Sequence, residues 1–196
     1  MRPEKKKKKR PGEKIRLRIG DYRIFMGAFP TGELAQQIQA VCEQYDLQTA
    51  QITAPHVTLA GTYWRTGPAT PENEANLIEK LGLLSGKIRP FTLHLGGIYT
   101  FGERVVYLGV AQSESLDFVR RSLMKPAGKD KHRQFKPHLT LATRLQQPDF
   151  TEMVTELRQT AWHTEQFVAR ITELRLMQRG ADDAAWRAIY TMPLRG

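Results

Sequence analysis

The sequence predicts an α+β protein of two similar lobes, and three observations carry the prediction. Short apolar runs with period-two alternation recur between stretches whose apolar residues fall at helical spacing. The chain runs through that series twice. The segment PHVTLAG, residues 55–61, also returns eighty-two residues later as PHLTLAT, residues 137–143, with five of seven positions identical. The expected architecture is two lobes related by a pseudo-two-fold axis. Each is an antiparallel sheet with flanking helices, and a groove runs between them.

The elements follow in order. YRIFMGAFP, residues 22–30, is aromatic and apolar and stops at a proline, a strand pattern. GELAQQIQAVCEQYDL places Leu34, Ile38, Val41 and Tyr45 on one helical face. The first motif is a strand. ATPENEANLIEKLGLLSGK reads as a helix starting near Thr70-Pro71. RPFTLHLGGIYTF alternates Phe91, Leu93 and Leu95 and reads as a strand ending at Gly96-Gly97. The second pass begins with the strand RVVYLGVA, residues 104–111. A helix capped by Ser113 or Ser115 follows, then the second motif strand HLTLATR and the helix PDFTEMVTELRQTAW. EQFVARITELRLMQRG reads as one strand or two short ones, and AWRAIYTMPL as its hairpin partner. No Gly/Ser-rich spacer divides the halves, so residues 21–196 are expected to form one bilobal domain.

Composition narrows the function classes. The 196 residues carry a net charge of +10, but residues 1–20 alone account for +8 and the remaining body for +2. MRPEKKKKKRPGEK is a block of like charge with nothing to bury, so residues 1–20 are expected to be a disordered basic tail. Such a tail acts as a sequence-independent phosphate tether or simply as a solvated segment, and both readings stand. No apolar run approaches the roughly 20 residues that cross a bilayer, and no apolar segment follows the basic start as in a secretory signal. Cys42 is the single cysteine and has no internal partner. A cytoplasmic, monomeric protein is expected, without membrane association.

The repeated motif carries the chemistry. On a strand, residues i and i+2 share a face. His56 and Thr58 therefore point one way, as do His138 and Thr140, while Val57, Leu59, Leu139 and Leu141 point the other way into a core. A pseudo-two-fold axis brings both polar pairs to one cleft. Two imidazoles, one neutral and one protonated, make a matched general base and acid. Two hydroxyls donate to non-bridging oxygens of a phosphodiester. Two histidines are too few for a zinc site without a third protein ligand, so no metal and no cofactor are expected. His94, His132 and His163 receive no role. His94 should face away from its apolar strand neighbours, toward solvent, and His163 reads as a surface residue. Tyr63, Trp64 and Arg65, which continue the first motif, are candidates for a base-stacking rim.

The doubled HVTL at 56–59 and HLTL at 138–141 resembles the two-histidine (2H) phosphoesterase superfamily. Within it the sequence is most similar to the family named both 2′-5′ RNA ligase and RNA 2′,3′-cyclic phosphodiesterase. The resemblance covers most of residues 21–196 and includes the apolar strand that runs into Gly96-Gly97 and an aromatic. It implies a bilobal fold with both motifs lining a groove and with His56 and His138 as the catalytic pair. Thr58 and Thr140 would hold the phosphate. By the same analogy His138 activates water and His56 protonates the departing ribose oxygen. The implied activity is metal-independent hydrolysis of 2′,3′-cyclic phosphate ends of RNA or nucleotides to 2′-phosphates, with 2′-5′ ligation as its reverse. A small cyclic nucleotide or a 2′-5′ oligonucleotide as substrate, and a non-catalytic nucleotide-binding module, are the alternatives. Many relatives carry an arginine five residues after the second histidine. Here that position is Thr143, and Arg144 can reach a phosphate only if the strand bulges or ends nearby.

Overall fold

The computed structural model describes residues 22–130 and 134–196, so the basic tail and His132 lie outside the described residues. Its strands are β1 (Tyr22–Ala28), β2 (Val57–Arg65), β3 (Phe91–Phe101), β4 (Val105–Val110), β5 (His138–Thr143), β6 (Phe167–Ile171), β7 (Glu173–Gly180) and β8 (Arg187–Pro193). The helices are α1 (Gly32–Ile52), α2 (Ala75–Ser85), α3 (Glu114–Ala127), α4 (Gln147–Leu157) and the single turn α5 (Ala161–Thr164). Among the described residues the strands form an antiparallel sheet in the order β6-β3-β4-β5-β2-β1-β7-β8.

The two motif strands meet at the middle of that order. β2 and β5 join through one residue pair, Val57 opposite Leu139, and then diverge. Both side chains are fully buried in the apolar core. Each motif strand is flanked on its other side by its own hairpin-like partner, β1 for β2 and β4 for β5. The halves of the sheet are not the halves of the chain, however. β3, from the first pass, pairs with β4 and β6, while β7 and β8, from the second, pair beside β1. The two similar passes thus trade strands.

Beyond the central pair each motif strand has an edge to protect, and a helix from the other side does it. α1 lies along β5: the carboxylate of Asp46 accepts the Thr143 N–H at 2.7 Å, and the Thr49 and Thr143 hydroxyls meet at 3.0 Å. Asp46 leaves helical geometry (φ −149°, ψ 67°) and also accepts the Thr49 N–H, so the helix kinks there instead of ending and runs on to Ile52. α3 lies along β2: the Arg120 guanidinium donates to the Leu59 carbonyl at 2.7 Å. Ser113 caps α3 by accepting the Leu116 N–H. The helix expected from Thr70-Pro71 opens as a 3-10 turn, Pro71–Glu74, before α2.

Both motif strands bulge at the same place. Gly27 pairs with Thr58 and Met26 with Ala60, so Leu59 is the extra residue in β2. Tyr107 pairs with Thr140 and Val106 with Ala142, so Leu141 is the extra residue in β5. Leu59-Ala60 and Leu141-Ala142 are buried consecutively. This explains why the repeat extends past the threonine to Leu-Ala: the bulge turns two neighbours inward, and the second must be small. β3 does not end at Gly96-Gly97 as expected. It bulges there, with Gly97 at φ 77°, and continues to Phe101. The phase change buries Ile98 and sends Tyr99 and Phe101 to the face opposite the core.

Candidate active site

Paired residues of an antiparallel ladder point to one face, and their neighbours to the other. Since Val57 and Leu139 enter the core, His56, Thr58, His138 and Thr140 surround the β2–β5 junction on the opposite face. The four motif residues are thus brought together by a single bridge.

The two histidines are held in the same way. Nδ1 of His56 lies 2.9 Å from the Ala54 carbonyl, and Nδ1 of His138 lies 2.7 Å from the Lys136 carbonyl, each two residues back. A carbonyl only accepts, so Nδ1 carries the proton in both rings. Their walls differ. His56 stacks on Phe25 (ring centroids 4.6 Å) and Phe29 (5.1 Å). Gly27 leaves room for that clamp, since a Cβ there would stand 2.9 Å from the Phe25 ring and 3.5 Å from the imidazole. His138 meets Phe101 and Tyr107 edge-on at 4.9 and 5.2 Å. Burial among its rings pushes the His56 pKa down to about 4. The charge of His138 adds in the same direction, and the Ala54 carbonyl opposes.

Beside His138 an open cavity of about 1060 Å³ spreads over β3 and β4. Its floor is Gly96, Gly97 and Gly109, its walls include Tyr99, Tyr107 and Lys136, and its lining stops short of the two motif histidines. His94 and His163 line it. His94 bonds Gln166 through Nδ1, and Nδ1 of His163 accepts the Ile98 N–H at 3.1 Å. The sequence assigns neither a place, because neither the bulge at Gly97 nor the approach of α5 shows in the alternation. Among the described residues no three His, Cys, Asp or Glu side chains gather as metal ligands.

The remaining sequence candidates separate. Tyr63 is 8% exposed on the core side of β2, where its hydroxyl donates to the Gly128 carbonyl at 2.7 Å. Arg65 pairs with Glu74. Neither joins the histidines, because a second irregularity in β2, between the Phe25 and Ile24 partners, resets the alternation. Trp64 lies on the histidine face opposite Arg23 and is 40% exposed. β5 both bulges at Leu141 and ends at Thr143, and Arg144 follows exposed with φ 59°. That left-handed backbone costs an arginine about 1 kcal/mol.

Comparisons with known proteins bear on the fold and the family. A protein of Bacillus cytotoxicus, named provisionally as a phosphoesterase, is 26% identical over 145 residues, covering 72% of this chain and 81% of its own. Its counterpart in Bacillus anthracis is 24% identical over 155 residues, covering 78% and 87%. The fold matches the crystal structure of E. coli LigT, with a TM-score of 0.58 and 23% identity over 90% of this chain and 99% of that one. LigT has also been crystallised with 3′-AMP. A Thermus thermophilus protein matches with a TM-score of 0.57 at 18% identity, over 89% and 98% of the two chains. The family model described as the 2′-5′ RNA ligase superfamily matches residues 30–183. With its two His-x-Thr strands joined at one bridge, the chain belongs to that superfamily, the two-histidine phosphoesterases.

Proposed function

We propose that this protein hydrolyses 2′,3′-cyclic phosphate ends of RNA or nucleotides to 2′-phosphates, without a metal, and that the same chemistry run backward joins 2′-5′ ends. The observation that carries the reading is the convergence of two Nδ1-anchored imidazoles and two hydroxyls at the Val57–Leu139 bridge. A cyclic phosphate held by Thr58 and Thr140 lies between a base and an acid. His138 takes a proton from water as its oxygen bonds to phosphorus. The bond from phosphorus to the ribose 3′-oxygen breaks, and His56 protonates that oxygen. The hydroxyls donate to the non-bridging oxygens, where charge grows.

His56 must be an imidazolium for this step, although burial disfavours its cation. The phosphate anion supplies the missing counter-charge, so proton and substrate bind together. The test is product analysis with 2′,3′-cyclic mononucleotides and cyclic-phosphate-ended RNAs in the presence of a chelator. The expected product is the 2′-phosphomonoester. Loss of turnover in chelator, restored by zinc or manganese, would require the histidines to be reread as metal ligands.

A further inference from the structure

On the His56 side of the groove, a cluster of arginines stands without carboxylates. Arg23 shares a face of β1 with Phe25 and Gly27, and its register partners are Trp64 on β2 and Arg179 on β7. Its guanidinium lies 5.3 Å from the ring centroid of Trp64 and 5.3 Å from that of Trp186. Trp186 meets Phe25 edge-on at 4.8 Å, and Phe25 stacks on His56. A continuous path of ring contacts therefore links Arg23 to the candidate catalytic imidazole.

Burial, and then the charges of Arg179 and Arg144, push the Arg23 pKa down. Four arginines elsewhere have acidic partners: Arg65 has Glu74, Arg120 has Asp130, Arg175 has Glu173 and Arg187 has Asp183. Among the described residues no carboxylate pairs with Arg23 or Arg144, and Arg179 donates to the backbone carbonyl of Asp183. Arg23 and Arg179, register partners on neighbouring strands, repel one another, and a bound anion would remove that cost. Both indoles lie within cation–π range of the Arg23 guanidinium, and a guanidinium so placed can donate to a phosphate through two N–H groups.

We propose that Arg23, with Arg179, forms a second phosphate subsite, which receives the phosphate on the 5′ oxygen of the nucleotide whose cyclic phosphate lies at the histidines. The inference rests on the proposed function: a cyclic phosphate occupies both the 2′ and 3′ oxygens, so a nucleic acid strand can continue only through the 5′ oxygen. The substrate class that fits is an oligonucleotide end, whose next phosphodiester sits on the arginines while a base packs along Trp64.

Three substrates test it: a 2′,3′-cyclic nucleotide with a free 5′-hydroxyl, the same nucleotide with a 5′-phosphate, and a dinucleotide ending in the cyclic phosphate. The protein should favour the second and third over the first in kcat/KM, through KM. In Arg23→Gln that advantage should fall about tenfold, and the salt dependence of KM for the dinucleotide should flatten by a slope of about one. Arg23→Lys, which keeps the charge, should retain the salt slope. An advantage shared by both phosphorylated substrates identifies the phosphate alone as the recognised group, and a larger one for the dinucleotide identifies the strand. No preference among the three, or an equal loss on all three in Arg23→Gln with an unchanged Tm, overturns the subsite. Should none of the substrates turn over, the function reading fails separately. Anisotropy with a labelled five-nucleotide RNA bearing a 3′-phosphate then tests the subsite, and equal Kd and salt slope in protein and variant reject it.

Discussion

At the residue scale, His56 and His138 share a tether but not an environment. Replacing either with Ala should lower the rate by about 10²–10⁴-fold, as loss of a general acid or base does. The double variant should lose less than the product of the two, because both act in one step. Thr58→Ala and Thr140→Ala should lose less, about 10- to several-hundred-fold. Steady-state rates on one cyclic nucleotide check all five. The aromatic clamp adds a pH signature. His56 titrates at about 4 in the fold against an ordinary 6.5, so between those values the unfolded chain binds more protons. Stability should therefore fall as pH drops from about 6.5 to about 4, and His56→Gln should flatten that part of the Tm–pH curve. The pair was legible in the sequence because a period-two motif written twice marks two matched strands, each with its histidine and threonine on one face. The clamp was not, since Phe25 and Phe29 lie on β1 and its exit, far in sequence from His56.

At the scale of elements, the geometry depends on how the free edge of each motif strand is covered. Arg120 is the sharpest case. It donates to the Leu59 carbonyl, pairs with the buried Asp130 at 2.8 Å and lies 4.3 Å from the Phe135 ring. One side chain thus fastens the first motif strand to residues just before the second. Arg120→Met removes a guanidinium from the buried Asp130 carboxylate and a donor from the Leu59 carbonyl, and should lower stability in urea unfolding. Arg120→Met with Asp130→Leu should recover part of that loss, since apolar groups at both positions have no desolvation cost to repay. The strands and helices were largely legible, because alternation and helical spacing are local signals. Bulges were not. The Leu-Ala of both motifs and the Gly96-Gly97 pair mark them only once the register of the partner strand is known.

At the scale of the whole molecule, two passes of one pattern were legible, but the exchange of strands between them was not. Loop-local reasoning pairs β3 with its own half, whereas the structure gives it to β4 and sends β7 and β8 to β1. A fragment of residues 22–102 would therefore leave β3 without a partner and strip β7 from β1 and β5 from β2. It should show no cooperative thermal transition by circular dichroism, whereas the full chain should show one. The exchange also ties both sheet halves to the central bridge, which sets the two histidines against each other. That meeting is tested most directly by titrating inorganic phosphate into protein with ¹⁵N-labelled histidine side chains and following His56 and His138 together. Both Nε2 resonances should shift along one binding curve with a single Kd, and either His→Ala variant should weaken phosphate binding at the remaining ring. Shifts confined to one histidine, or two curves with different Kd values, would contradict a single phosphate held between the pair.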